Sequence, residues 1–163
     1  MTERPHTPPD ADEKATLSAF LDQQRWDVAD RITGLTDEQL RRAVVPSGWS
    51  LLGLISHLTD VEVSWFQDRF AGRDLAGSTD DGEAAGFTVG PEDTAATVVA
   101  AYHAAVAESR RIVAAASLDT PAARAPRGHT LRWILVHLVE ETARHNGQAD
   151  VVRELIDGRT GNA

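Results

Sequence analysis

Between Leu51 and Phe70 apolar residues recur every three or four positions: Leu51, Leu54, Ile55, Leu58, Val61, Trp65 and Phe66. That is the period of a helix with one buried face, not of a strand. The rest of the chain repeats the pattern. Leu17, Phe20, Leu21, Gln24, Val28 and Ile32 form a stripe that opens at Asp12 and stops near Gly34. An Ala-rich segment from about Glu92 to Ser117 carries Val98, Tyr102, Val106, Ile112 and Val113. A last segment runs from about Thr130 to Asp157 and stops at Gly158. Thr36, three residues before Gln39, marks a capping box and a short helical turn through Arg42. No alternating run reads as a strand, and no repeat is visible. The expectation is an all-α four-helix bundle.

Breakers set the expected boundaries. Pro5, Pro8 and Pro9 make residues 1–11 a disordered arm. Residues 12–163 then form one domain, which suits a chain of 163 residues. VVPSGWS (Val44–Ser50) is a loop whose last residue caps the second long helix. Gly72 ends that helix. The Gly- and Asp-rich stretch 72–91 is long for a compact domain, which favours a functional role. A second loop, Leu118–His129, carries Pro121, Pro126 and Gly128.

Charge and cysteine usage exclude several functions. The net charge of −9 argues against a general nucleic-acid binder or a polybasic membrane-surface protein. No run of about 18 apolar residues is present, so no membrane span is expected. Met1–Glu13 is too polar for a signal peptide, and the expected location is the cytoplasm. Without cysteine the chain has no disulfide, no thiolate zinc site and no nucleophilic thiol of its own.

The chemistry then rests on six histidines. His6 lies in the arm and His129 in a loop; His57, His103, His137 and His145 lie on helices. In HLVEETARHNGQ, His137, Glu141 and His145 recur every four residues and share one face. Residues four apart are separated by about 6 Å along the axis, at about 1.5 Å per residue. Zinc–nitrogen bonds are about 2.0–2.1 Å, so one adjacent pair can converge on an ion and His137 with His145 cannot easily do so. Either His137 with Glu141 or Glu141 with His145 would supply two ligands. His57, inside LLGLISHLTDVEVSW, is the best third donor from another helix. Two His and one Glu leave coordination positions open, a catalytic rather than a structural pattern. The plainer alternatives are a hydrogen-bonded core histidine at 57 and an ordinary polar pair at 141 and 145.

Two segments, PSGWSLLGLISHLTDVEVSWF (Pro46–Phe66) and LRWILVHLVEETARHNGQADVVRELIDGRTG (Leu131–Gly161), carry a resemblance. The chain resembles the DinB-like metalloproteins, and more closely their actinobacterial branch of mycothiol S-transferases. The resemblance implies a four-helix bundle with a divalent metal on His57, Glu141 and His145. Many members have His where Glu141 stands; the related mycothiol-dependent maleylpyruvate isomerase has Glu there. His137 then becomes second choice, as a pocket or packing residue; Gln148 and Asn146 are candidate partners of the ligands; Glu140 is a surface carboxylate or a ligand's partner, and Arg144 a solvated charge or a contact for a substrate carboxylate. Trp49 is the best pocket tryptophan, and Asp60 or Glu62 could orient a ligand histidine.

The implied activity is metal-dependent thiol transfer. A low-molecular-weight thiol, mycothiol by resemblance, is deprotonated on the metal and attacks an electrophile. Zinc is the first choice of metal, with nickel and iron as alternatives. The acceptor pocket is expected from loops 72–91 and 118–129. Rival readings are a hydrolase or isomerase using the same three residues, and a non-enzymatic, stress-associated metal-binding bundle. The isomerase ranks lower, because it carries a further C-terminal portion and this chain stops soon after its last helix. The expected partners are small molecules only. A homodimer is compatible with such a bundle, and no residue pattern specifies its interface.

Overall fold

The computed structural model describes residues 3–75, 87–124 and 127–161. It is an all-α bundle, with no strands among the described residues. The elements are α1 (Glu13–Ile32), α2 (Asp37–Arg41), α3 (Leu51–Glu62), a π-helical continuation of α3 (Val63–Phe70), α4 (Ala95–Ala115) and α5 (Leu131–Asp157). The chain divides into two compact units, Met1–Leu51 with Leu135–Ala163, and Leu52–Ile134. Among the described residues no helix is long and apolar enough to cross a membrane.

Local chemistry explains the boundaries. The Asp12 carboxylate accepts from the Ala15 backbone N–H at 2.8 Å and starts α1. The chain leaves α1 through Gly34, whose φ of +83° suits glycine. Thr36 and Gln39 form the expected reciprocal capping box on α2. A second box, Thr94 with Thr97, starts α4 three residues later than the pattern suggests. The Asp93 carboxylate accepts from the Gly90 N–H at 2.6 Å, so residues 90–93 form a turn instead of a first helical turn.

In the first unit, α1 departs most from expectation. Leu21 and Val28 are buried, but Phe20 is 43% exposed. Arg25, Asp27, Asp30 and Arg31 are buried instead. Their partners make this affordable, since a buried charge is tolerated when paired and hydrogen-bonded. Arg31 pairs with Asp150 of α5 at 2.5 Å, and Asp30 with Arg159 at 2.5 Å. Asp27 receives a two-pronged contact from Arg4 at 2.9 and 2.8 Å. Asn146 donates to both the backbone and side-chain oxygens of Gln24 at 2.9 Å. On α5, Leu135, Leu138, Thr142, His145, Asn146, Ala149, Val152 and Arg153 are buried at helical spacing.

In the second unit, α3 buries Leu52, Leu54, Ile55, Leu58 and Val61. Beyond Glu62 the turn widens to the π form, where the backbone bonds five residues apart. That shifts the buried set to Phe66, Asp68 and Phe70, leaving Trp65 half-buried. Arg124 pairs with Asp68 at 2.9 Å. The α4 helix packs on this π segment, and Ser109 spends its hydroxyl on the Ala105 carbonyl at 3.0 Å. Gly72 closes the segment with φ +69°; a Cβ there would meet the Ala123 Cβ at 2.8 Å. The Ala123 and Arg124 N–H groups bond the Phe70 and Arg69 carbonyls at 3.1 and 2.8 Å, docking residues 123–124 on the end of the π-helix.

Of the two loops expected to form an acceptor pocket, residues 76–86 and 125–126 lie outside the described residues. The described part of the second loop closes on itself through an antiparallel bridge between Pro121 and Thr130.

Candidate metal centre

The α5 helix brings Glu141 and His145 together because residues four apart stand one turn above each other. Glu141 Oε1 lies 3.0 Å from His145 Nε2. The other ring nitrogen, Nδ1, lies 2.8 Å from Gln148 Oε1, so the imidazole is held from both sides by its own helix. His145 is only 5% exposed, while Glu141 is half-buried. Both ring nitrogens thus face oxygen acceptors, and an ion at Nε2 would take the place of the proton there while Nδ1–H is donated to Gln148.

Glu141 is held below the usual carboxylate range. Burial pushes it up, but the hydrogen bond from His145 and the charges of His145, Arg144 and His137 more than offset that. Arg144 bridges two carboxylates, Glu141 at 3.3 Å and Glu140 at 2.6 Å. Glu140 itself is exposed, as expected. His137 is half-buried one turn earlier.

His57 is half-buried on α3, with Nε2 buried and its ring stacked on Phe87 at 4.5 Å between centroids. Asp60, one turn on, is pushed up by burial, against the pull of the His57 charge. Glu62 is buried. One donor atom from each of His57, Glu141 and His145 lies within 4.8 Å of the others. Two imidazoles and a carboxylate are a donor set suited to zinc, nickel or iron, so the residues present fit a divalent ion.

A family model described as mycothiol-S-transferase matches residues 16–158. The chain belongs to this DinB-like family. The match spans both segments that carried the resemblance up to Gly158, and includes His57, Glu141, His145 and Gln148. No curated protein matches the chain. A solved structure titled as the conserved protein of a locus from Enterococcus faecalis is similar in fold. It has a TM-score of 0.66 at 18% identity, over 91% of this chain and 99% of that one.

The remaining histidines lie outside the three-residue donor group. His6 and His103 are exposed, and Trp49 is half-buried in the loop before α3. His129 stacks on Trp133 at 3.9 Å, with Trp65 nearby and Arg69 over the Trp65 ring at 4.3 Å. Burial, with the charges of Arg69 and Arg127, lowers the His129 pKa from 6.5. The neutral ring is therefore favoured in the folded chain. His129 contributes stability that is present above about 6.5 and is lost as pH falls toward its folded value. In an NMR titration the His129 imidazole is expected to show a midpoint below 6.5. A midpoint at or above 6.5 would contradict the stacked, charge-flanked environment.

Two residues at this centre escaped the sequence reading, Phe87 and Gly53. Phe87 sits in a loop without periodicity. Gly53 did leave a signal: a glycine inside the apolar run LLGLI weakens a helix and marks a close approach.

Proposed function

We propose that the chain is a metal-dependent S-transferase that joins a low-molecular-weight thiol, mycothiol, to an electrophile in the cytoplasm. His57, Glu141 and His145 hold the divalent ion, zinc first, with nickel or iron as alternatives. The observation that carries this reading is the clustering of three donor atoms within 4.8 Å in a chain of the mycothiol-S-transferase family.

A divalent ion held there supplies the positive charge that keeps a thiol deprotonated near neutral pH. The chain has no cysteine, so the attacking sulfur belongs to the cosubstrate. The thiol proton is released, sulfur forms a bond to the electrophilic carbon, and the leaving group departs with its bonding electron pair. The chain's own residues prepare the site. Gln148 holds the His145 ring through Nδ1, and Arg144 and His137 favour the anionic form of Glu141, which is the donor form. His137 and Trp49 are the pocket residues of this reading.

Metal analysis of untagged protein, followed by mycothiol consumption with 1-chloro-2,4-dinitrobenzene, tests the proposal. The expected result is roughly one divalent ion per chain, as for a three-ligand catalytic site, and thiol transfer that disappears with the ion in His57→Ala. Transfer at the wild-type rate in His57→Ala, or a wild type that takes up no zinc, nickel or iron, would overturn it.

A further inference from the structure

We propose that Phe87 is a positioning residue for His57, holding the imidazole plane in the orientation that a metal ligand requires. This rests on the metal reading above. Three observations within the second unit carry it. Gly53 and His57 are four residues apart on α3 and so share a face. A Cβ at Gly53 would stand 2.4 Å from the Phe87 carbonyl oxygen and 2.9 Å from its carbonyl carbon. These are backbone atoms, which cannot swing aside like the end of a flexible side chain. The Phe87 ring then lies on the His57 ring at 4.5 Å between centroids, with the planes only 22° apart.

The physical chain runs from glycine to ligand. Gly53 weakens the helix relative to alanine, yet opens a notch one turn before His57. The Phe87 backbone fills that notch, which fixes where its ring can lie. A ring laid flat on an imidazole blocks rotation of the imidazole out of its plane. The metal-binding lone pairs of histidine lie in that plane, so locking the plane aims them. Phe87 has no polar atom on its ring and competes for neither nitrogen. It therefore does for His57 by contact what Gln148 does for His145 by hydrogen bonding.

Zinc affinity, measured by competition with a chromophoric chelator, tests this in Phe87→Leu, Phe87→Ala, Phe87→Tyr and His57→Ala. The cobalt(II) absorption spectrum and the melting temperature of the metal-free protein are read in parallel. Leucine keeps the apolar bulk and loses the flat plate. Phe87→Leu is expected to keep the metal-free melting temperature, to lower zinc affinity about 10–100-fold, as loss of a ligand-orienting partner does, and to shift the cobalt spectrum. Phe87→Ala is expected to lower affinity at least as far, and Phe87→Tyr to restore it. Wild-type affinity and spectrum in both Phe87→Leu and Phe87→Ala, with affinity lost in His57→Ala, would overturn the role of Phe87 and leave the metal reading standing. Absence of zinc binding in the wild type would overturn both.

Discussion

Glu141→Gln is expected to strip the divalent ion from the protein and to abolish thiol transfer, with the helix intact. Glutamine matches glutamate in shape and keeps one oxygen donor. It removes the only negative charge among His57, Glu141 and His145. Loss of a partner that only orients a ligand costs about 10–100-fold in metal affinity, and loss of the anionic ligand itself should cost more. The helix has little to lose, because one polar pair four residues apart contributes about 0.2–0.5 kcal/mol. Glu140→Gln is the matched control. Glu140 is exposed and shares Arg144 with Glu141, so its loss of charge should leave metal content unchanged. Mass-spectrometric metal analysis and zinc titration of both variants decide it. Full metal content in Glu141→Gln would remove Glu141 from the ligand set.

Arg153→Ala is expected to cost the fold about 3 kcal/mol, the upper range for hydrogen bonds to a charged group. Its side chain is 7% exposed and reaches from α5 to the end of α1. There it donates to the Arg31 and Thr33 carbonyls at 2.7 and 2.9 Å. These belong to the last turn of α1, whose carbonyls have no partner within the helix. The same guanidinium grips Asp157 at 2.7 and 3.0 Å. Alanine leaves the carbonyls without that donor and opens a gap. Lysine carries the charge but not the planar fork, so Arg153→Lys should recover only part. Asp157 adds a pH signature. Its hydrogen bonds with Arg153 and with the Arg159 backbone hold it below the usual carboxylate range. Its contribution is present above the unfolded carboxylate value and is lost as pH falls through the folded one. Urea unfolding near neutral and at acid pH checks both statements. A change under about 0.5 kcal/mol, as surface substitutions give, would show that Arg153 does not hold the end of α1.

Both results depend on α5, and part of that helix's chemistry was legible in the sequence. Glu141 and His145 stand four apart, so helical geometry alone makes them neighbours, as it does for His145 and Gln148 within one further turn. The capping residues Asp12 and Thr36 were legible for the same reason, because a cap acts over three residues. The π segment after Glu62 was not. Its apolar spacing fits an α-helix, whereas the wider turn, which buries Asp68 and Phe70, goes with packing on α4 and the pairing of Asp68 with Arg124, neither of which is local in sequence.

The sequence by itself determined the helices, their stops and the pairing of Glu141 with His145, because these follow from interactions within about one helical turn. Only the tertiary structure decided that α1 buries Asp30 and Arg31 while Phe20 stays exposed, since their partners Arg159 and Asp150 lie more than a hundred residues away. It also brought donor atoms of His57, Glu141 and His145 within 4.8 Å of one another, and laid Phe87 on His57 across the notch at Gly53. A buried charge or a ligand histidine is defined by what stands opposite it, and periodicity along one helix carries no information about the opposite side.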